Sequence, residues 1–341
     1  MPKIPRDLRS GVIREWSTGG PAPLADKYAA SPIKAVVFVH GILSDHTTYA
    51  NCQAKLAVGR PNCRFYYVDY DFNEPIADNG RYLAKALREH FNDADHVVVV
   101  AHSMGGVVAR YACLSQKLPF VRTLFLLGTP NQGAFRTATL TILAQMSRGV
   151  IGQLWGVRPK KVGVFDLTRV DRILRPLLDN SARTDHIDYV TVPGRYFYRG
   201  RGFFEHDSSN IWRVIFGGLD VGLELVRAFL PLLSINMLRP HDGIVEEVSN
   251  QLMPEKVPQR DSERRLRSEK RKSLRRLPPA PATYAHVVAD AADDLMHVQL
   301  TGSEFVISII NEIIEEPSLD IWMPAARERY GETVDILDRD P

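Results

Sequence analysis

The sequence is poor in cysteine, in charge of one sign and in uninterrupted apolar runs. Three cysteines in 341 residues, Cys52, Cys63 and Cys113, are too few and of the wrong parity for a disulfide framework. No C-x-x-C or comparable ligand spacing occurs, so no metal is expected, and the serine chemistry read below needs no cofactor. The opening stretch, MPKIPRDLRSGVIREWSTGG, contains no apolar h-region and so no signal peptide. A cytoplasmic location is therefore expected. Residues 203–238 are the most apolar part of the chain, but Arg213, Asp220, Glu224 and Arg227 interrupt them. What remains falls short of the ~20 residues needed to cross a bilayer, and an amphipathic helical pair over a pocket fits better. Lys and Arg number 43 against 40 Asp and Glu, a net charge of +3, which argues against disorder and against wholesale nucleic-acid binding.

What the sequence does contain is alternation. Ala35–Val39 (AVVFV) is all apolar, as a strand buried on both faces should be. Residues 47–58 read as helix, 65–70 (FYYVDY) as strand and 75–91 as an amphipathic helix with Ile76, Leu83, Ala84 and Leu87 on its apolar face. Strands follow at 96–100, 121–127 and 187–192. Strand, helix, strand in this order predicts an α/β fold with a doubly wound, mostly parallel sheet. In such sheets the functional crevice lies beyond the carboxyl ends of the strands. His40-Gly41, Ser103 and Gly128-Thr129-Pro130 all fall at such ends.

Ser103 sits where VVVV gives way to a helical run. A serine hydroxyl becomes a nucleophile only when a base takes its proton and an electropositive pocket receives the oxyanion. A sharp strand-to-helix turn lifts the side chain clear and aims backbone N–H groups at the same point. Such a turn demands small residues two positions either side, here Ala101 and Gly105. Gly41, after Val39-His40, lets the backbone approach a ligand, so the N–H groups of Ile42 and Met104 can form a two-donor oxyanion hole. His40 is assigned a structural role in that loop. For the acid, Asp207 reads as a helix cap and Asp220 as a helix-surface charge. Asp242, in RPHDGIV, is preferred. For the base, His46, His90 and His96 precede the serine and suit surface or strand-end positions. His286, in TYAHVVAD, reads as part of the last strand. His297, on a loop before a helix with Phe305, Val306, Ile309, Ile310 and Ile313 on its apolar face, is preferred.

VVFVHGI, AHSMGGVVAR, LLGTPNQGA, HDGIV and HVQLTGS together resemble the α/β-hydrolase superfamily. Within it they are similar to bacterial lipases and to lipase-like hydrolases related to GPI-inositol deacylases. The resemblance implies an α/β-hydrolase fold with inserted helical lid or cap segments. It also implies Ser103 as nucleophile, Asp242 as acid, His297 as base, and Ile42 and Met104 as oxyanion donors. The chain departs from the family in carrying Ala101 where the elbow usually has glycine, and Asn131 where many relatives have histidine.

The expected organisation is an N-terminal arm (1–33), a hydrolase domain (34–317) and a C-terminal tail (318–341). Lid segments are expected at 131–185 and 195–238, and a basic surface insertion at 259–281. Between 260 and 276 nine basic residues stand against three acidic ones. That block suits either a solvated surface or peripheral contact with an anionic membrane. The expected function is hydrolysis of an apolar carboxylic ester, from a small molecule or a lipid, through an acyl-enzyme. Acyl transfer to an alcohol or lipid, and a non-catalytic membrane-associated binding module, are the competing readings.

Overall fold

Valine- and leucine-rich runs with no polar interruption need cover on both faces, and the structure supplies it. The computed structural model describes residues 13–16, 35–42, 44–60, 63–92, 95–131, 133, 166–167, 170, 173–174, 186–194, 283–288, 299–316, 319–330 and 334–335. Eight strands form one sheet: β1 (Ile13–Glu15), β2 (Ala35–Val39), β3 (Arg64–Val68), β4 (Val97–His102), β5 (Val121–Leu127), β6 (Asp188–Val192), β7 (Thr283–Val287) and β8 (Val334–Asp335), in the spatial order β1-β3-β2-β4-β5-β6-β7-β8. The six inner strands are parallel, whereas β1 and β8 run antiparallel at the two edges.

Every residue of β2 and β4 is buried, which explains why both read as continuous apolar runs instead of an alternation. One face is covered by α2 (Ile76–His90) and α3 (Met104–Ser115), packed on Val37, Val39, Val97, Val99, Leu124 and Leu126. The other face carries α1 (Ala50–Ala57), α4 (Glu304–Glu315) and α5 (Leu319–Tyr330), with Val36, Phe38, Val98, Val100 and Phe125 beneath them. α2 shows the expected amphipathic pattern, its buried Ile76, Leu83, Ala84 and Leu87 facing the sheet. α3 is buried from Met104 through Leu114, packed against both the sheet and α2. The start of α2 is closed from afar: the Ile76 N–H donates to Asp166 Oδ2 at 2.9 Å, satisfying one of the free amides of a helix N-terminus.

One strand boundary differs from the reading of the sequence. β3 ends at Val68, so Asp69 and Tyr70 lie beyond it. Residues 319–330 form α5, whose Leu319, Trp322 and Ala326 are buried, and residues 334–335 add β8 to the sheet. Residues 13–15 likewise form an edge strand against β3. The segments singled out at 195–238 and 259–281 lie outside the described residues, as does most of 131–185. Among the described residues no helix is long and apolar enough to cross a membrane.

Candidate functional site

Register brings the strand ends together. Val39 of β2 pairs with Ala101 of β4, His102 of β4 with Leu127 of β5, and Leu127 with Val192 of β6. His40-Gly41, Ser103 and Gly128 therefore emerge side by side at one edge of the sheet.

Ser103 occupies the turn between β4 and α3 with φ 53° and ψ −124°. Among the described residues it is the only non-glycine with positive φ. Its N–H is held by the carbonyl of Leu127 at 2.9 Å, and its own carbonyl accepts from the Gly106 N–H at 3.0 Å. Backbone in this region costs an L-residue on the order of 1–3 kcal/mol, and such strain concentrates where a side chain must be presented. The residue is 3% exposed.

The requirement for small neighbours is steric and can be read atom by atom. A Cβ at Gly105 would stand 2.2 Å from the carbonyl oxygen of His40 and 2.7 Å from that of Val39. The first turn of α3 thus rests directly on the end of β2. A Cβ at Gly41 would stand 3.0 Å from the Cβ of Ser103 and 2.9 Å from His102 Nδ1. Only glycine lets the loop after β2 run this close to the serine. Met104 opens α3, so its N–H belongs to the helix turn whose amides have no intrahelical acceptor.

His40 is a buried ring held in one orientation. Its Nδ1–H donates to the Gly41 carbonyl at 2.8 Å and its Nε2 accepts from the Tyr70 N–H at 3.2 Å. Tyr70 Oη–H donates to the His40 carbonyl at 2.9 Å, and the two rings stack with centroids 4.4 Å apart. Burial lowers the pKa of His40, against the opposing pull of the Gly41 hydrogen bond and of Asp69. A neutral ring with one donor and one acceptor nitrogen fits both bonds. Further along the loop, His46 gives its N–H to Asp69 Oδ1 at 2.9 Å and its Nδ1–H to Asp69 Oδ2 at 2.7 Å. Its ring stacks on Tyr67 at 4.0 Å.

The structure thus brings together Ser103, Met104, Gly105, His40, Gly41 and Ile42. Asp242 and His297 lie outside the described residues. By sequence, Asp242 falls in the connection between β6 and β7, and His297 in the one between β7 and α4. His286 is in β7, buried and bonded through Nδ1 to Thr191 Oγ1 at 2.6 Å, as a core position requires. Asn131 accepts from Arg110 Nη1 at 3.1 Å. Among the described residues no group of three or more His, Cys, Asp or Glu could hold a metal. Sequence reasoning missed Asp69 and Tyr70. The signal was available, since parallel β2 and β3 pair Val39 with Val68 and so place the residues after them beside His40.

This sheet order, with a strained serine at the β4–α3 turn, is that of an α/β-hydrolase fold. Residues 34–150 match the family model described as PGAP1-like alpha/beta domain. No curated protein matches the chain. The structure is similar to a Bacillus licheniformis lipase in its mature form: 18% identity, TM-score 0.55, covering 89% of this chain and 98% of the lipase. It is similar to the propeptide form of that lipase at the same identity and TM-score, covering 89% of this chain and 54% of that one.

Proposed function

We propose that the protein is a serine-dependent carboxylic ester hydrolase acting on an apolar acyl ester through an acyl-enzyme. The observation that carries this reading is Ser103 at φ 53°, with the loop after β2 running so close to it that only glycine fits at Gly41. In this mechanism Ser103 Oγ attacks the ester carbonyl while His297 takes its proton, and Asp242 orients the imidazole and stabilises its charged form. The oxyanion is received by the N–H groups of Ile42 and Met104. The proton on His297 passes to the departing alkoxide. Water, deprotonated by the same histidine, then releases the acid and regenerates Ser103. The chain order supports these roles, because β6 and β7 run parallel to β4 and their outgoing connections leave from the edge that carries Ser103. Serine, acid and base then follow in the order that belongs to this sheet. Residues 260–276 would bring the enzyme to anionic membrane surfaces carrying a lipid ester.

The test is hydrolysis of p-nitrophenyl esters from acetate to palmitate by the parent and by Ser103→Ala. Activity in the parent that disappears in the variant supports the assignment, and the chain-length optimum sizes the acyl pocket. Equal rates in both overturn it. Adding a competing alcohol and analysing products separates hydrolysis from acyl transfer.

A further inference from the structure

Asp69 and Tyr70 grip both ends of one loop. β2 hands the chain to residues 40–45, which lead into the short 3-10 helix His46–Tyr49. At the near end, Tyr70 holds His40 through its N–H, its hydroxyl and its ring. At the far end, Asp69 takes two donations from His46, one on each carboxylate oxygen. Two consecutive residues beyond β3 therefore set the distance between the loop's first and last residues. Asp69 Oδ1 also lies 3.8 Å from His40 Nε2, so the two grips touch.

The consequence for chemistry follows from peptide geometry. Because the Tyr70 N–H occupies His40 Nε2, the ring proton must sit on Nδ1, where it fixes the Gly41 carbonyl at 2.8 Å. The Gly41 C=O and the Ile42 N–H belong to one planar trans peptide, so aiming the carbonyl at His40 aims the N–H the opposite way. We infer that Asp69 and Tyr70 are positioning residues that aim the Ile42 amide at the oxyanion formed on Ser103. The inference rests on the hydrolase reading above and extends it to residues that touch neither substrate nor serine. A third tie braces the same helix: Thr48 Oγ1 is 3.0 Å from Thr301 Oγ1, four residues beyond His297 in the chain. The His46–Tyr49 helix thus joins the oxyanion loop to the segment that follows the base.

The experiment compares Asp69→Ala, Asp69→Asn and Tyr70→Phe with the parent in three readouts. These are kcat and KM for p-nitrophenyl butyrate, the rate of Ser103 phosphonylation by an alkyl fluorophosphonate, and the thermal midpoint. Asp69→Ala is expected to lower kcat about 10-fold or more, below the ~10²–10³ that follows outright loss of an oxyanion donor, with KM within about twofold. Phosphonylation should slow in parallel, because its P–O⁻ develops in the same pocket. Asp69→Asn should fall in between, since one amide oxygen can still accept one of the two donations. If Asp69→Ala is too unstable to assay, Tyr70→Phe, which removes a single hydroxyl, carries the test through a severalfold fall in kcat at unchanged KM. Variants that match the parent in kcat and phosphonylation, or that raise KM alone, overturn the inference. A parent that is neither phosphonylated at Ser103 nor dependent on it for hydrolysis overturns the hydrolase reading and this inference with it. Serine-dependent activity indifferent to Asp69 and Tyr70 overturns the inference alone.

Discussion

The Ser103 amide donates to the Leu127 carbonyl at 2.9 Å, so the serine remains tied to β5 one residue after its own strand has ended. Under that restraint the chain must turn into α3 with φ 53°. The strain belongs to the Cβ, and alanine at this position retains it. Ser103→Gly should therefore unfold at higher urea than Ser103→Ala, by about 1 kcal/mol after the entropic cost of glycine is deducted. Both variants should be inactive towards esters. A glycine variant less stable than the alanine variant would show that the turn is not strained.

Two glycines of the turn should respond differently to a methyl group. Gly105→Ala meets backbone oxygens of Val39 and His40, which only a shift of β2 or α3 could relieve. Gly106→Ala meets a side chain, its Cβ falling 1.9 Å from Thr129 Oγ1 and 2.6 Å from Thr129 Cγ2. Overpacking of this kind typically costs about 1–3 kcal/mol, and more against backbone. Thr129→Gly should rescue much of the stability of Gly106→Ala and none of that of Gly105→Ala. Equilibrium denaturation of the three single and two double variants measures both.

Acid sensitivity should come in part from His96, half-buried just before β4. Burial, assisted by the Arg122 charge, lowers its pKa from 6.5 to about 4. Between those values the unfolded chain binds a proton that the folded chain refuses, so stability rises with pH across this window. The contribution is fully present above pH ~6.5 and is lost as pH falls toward ~4. Partial exposure discounts it to about 1–2 kcal/mol. His40, shifted the same way, adds to the parent's profile. The difference between parent and His96→Gln isolates His96: the variant should lose less stability between pH 7 and pH 4, and identical slopes would refute its share.

Two of the three thiols should be inert. Cys52 and Cys113 are buried, and burial pushes both up to about 12. Almost no thiolate is present at neutral pH, and thiolate is the reactive form. Incubating native protein with iodoacetamide should leave both residues unmodified by mass spectrometry and hydrolysis unchanged. Rapid alkylation of either would contradict the packing described here.

Much of the fold was legible because its strands carry an unambiguous signal. β2 and the first five residues of β4 are unbroken apolar runs, β5 ends in the apolar run Leu124–Leu127, and α2 has a strong helical period. The turn at Ser103 was legible for the same reason, since small residues between a valine run and a helix leave few alternatives. Asp69, Tyr70 and His46 were not. FYYVDY continues the strand pattern, and nothing in its composition says that the strand stops at Val68 and that the next two side chains turn onto a neighbouring loop. That information lies in parallel pairing between β2 and β3, a relation between segments and not a property of either. α5 escaped notice because Pro324 falls inside it and its buried residues are few.

The edge strands bear on how copies of the protein behave toward one another. Six parallel strands rich in valine and leucine would offer a ready template for strand addition if either flank were left open. Among the described residues the sheet is instead bounded by β1, three residues long, and β8, two residues long, both antiparallel to their neighbours. β1 carries Arg14 and Glu15. Short, reversed edges offer too few free backbone groups for another chain to propagate the sheet. Losing either edge would expose β3 or β7 to intermolecular pairing, so the first symptom of trimming these small strands should be aggregation.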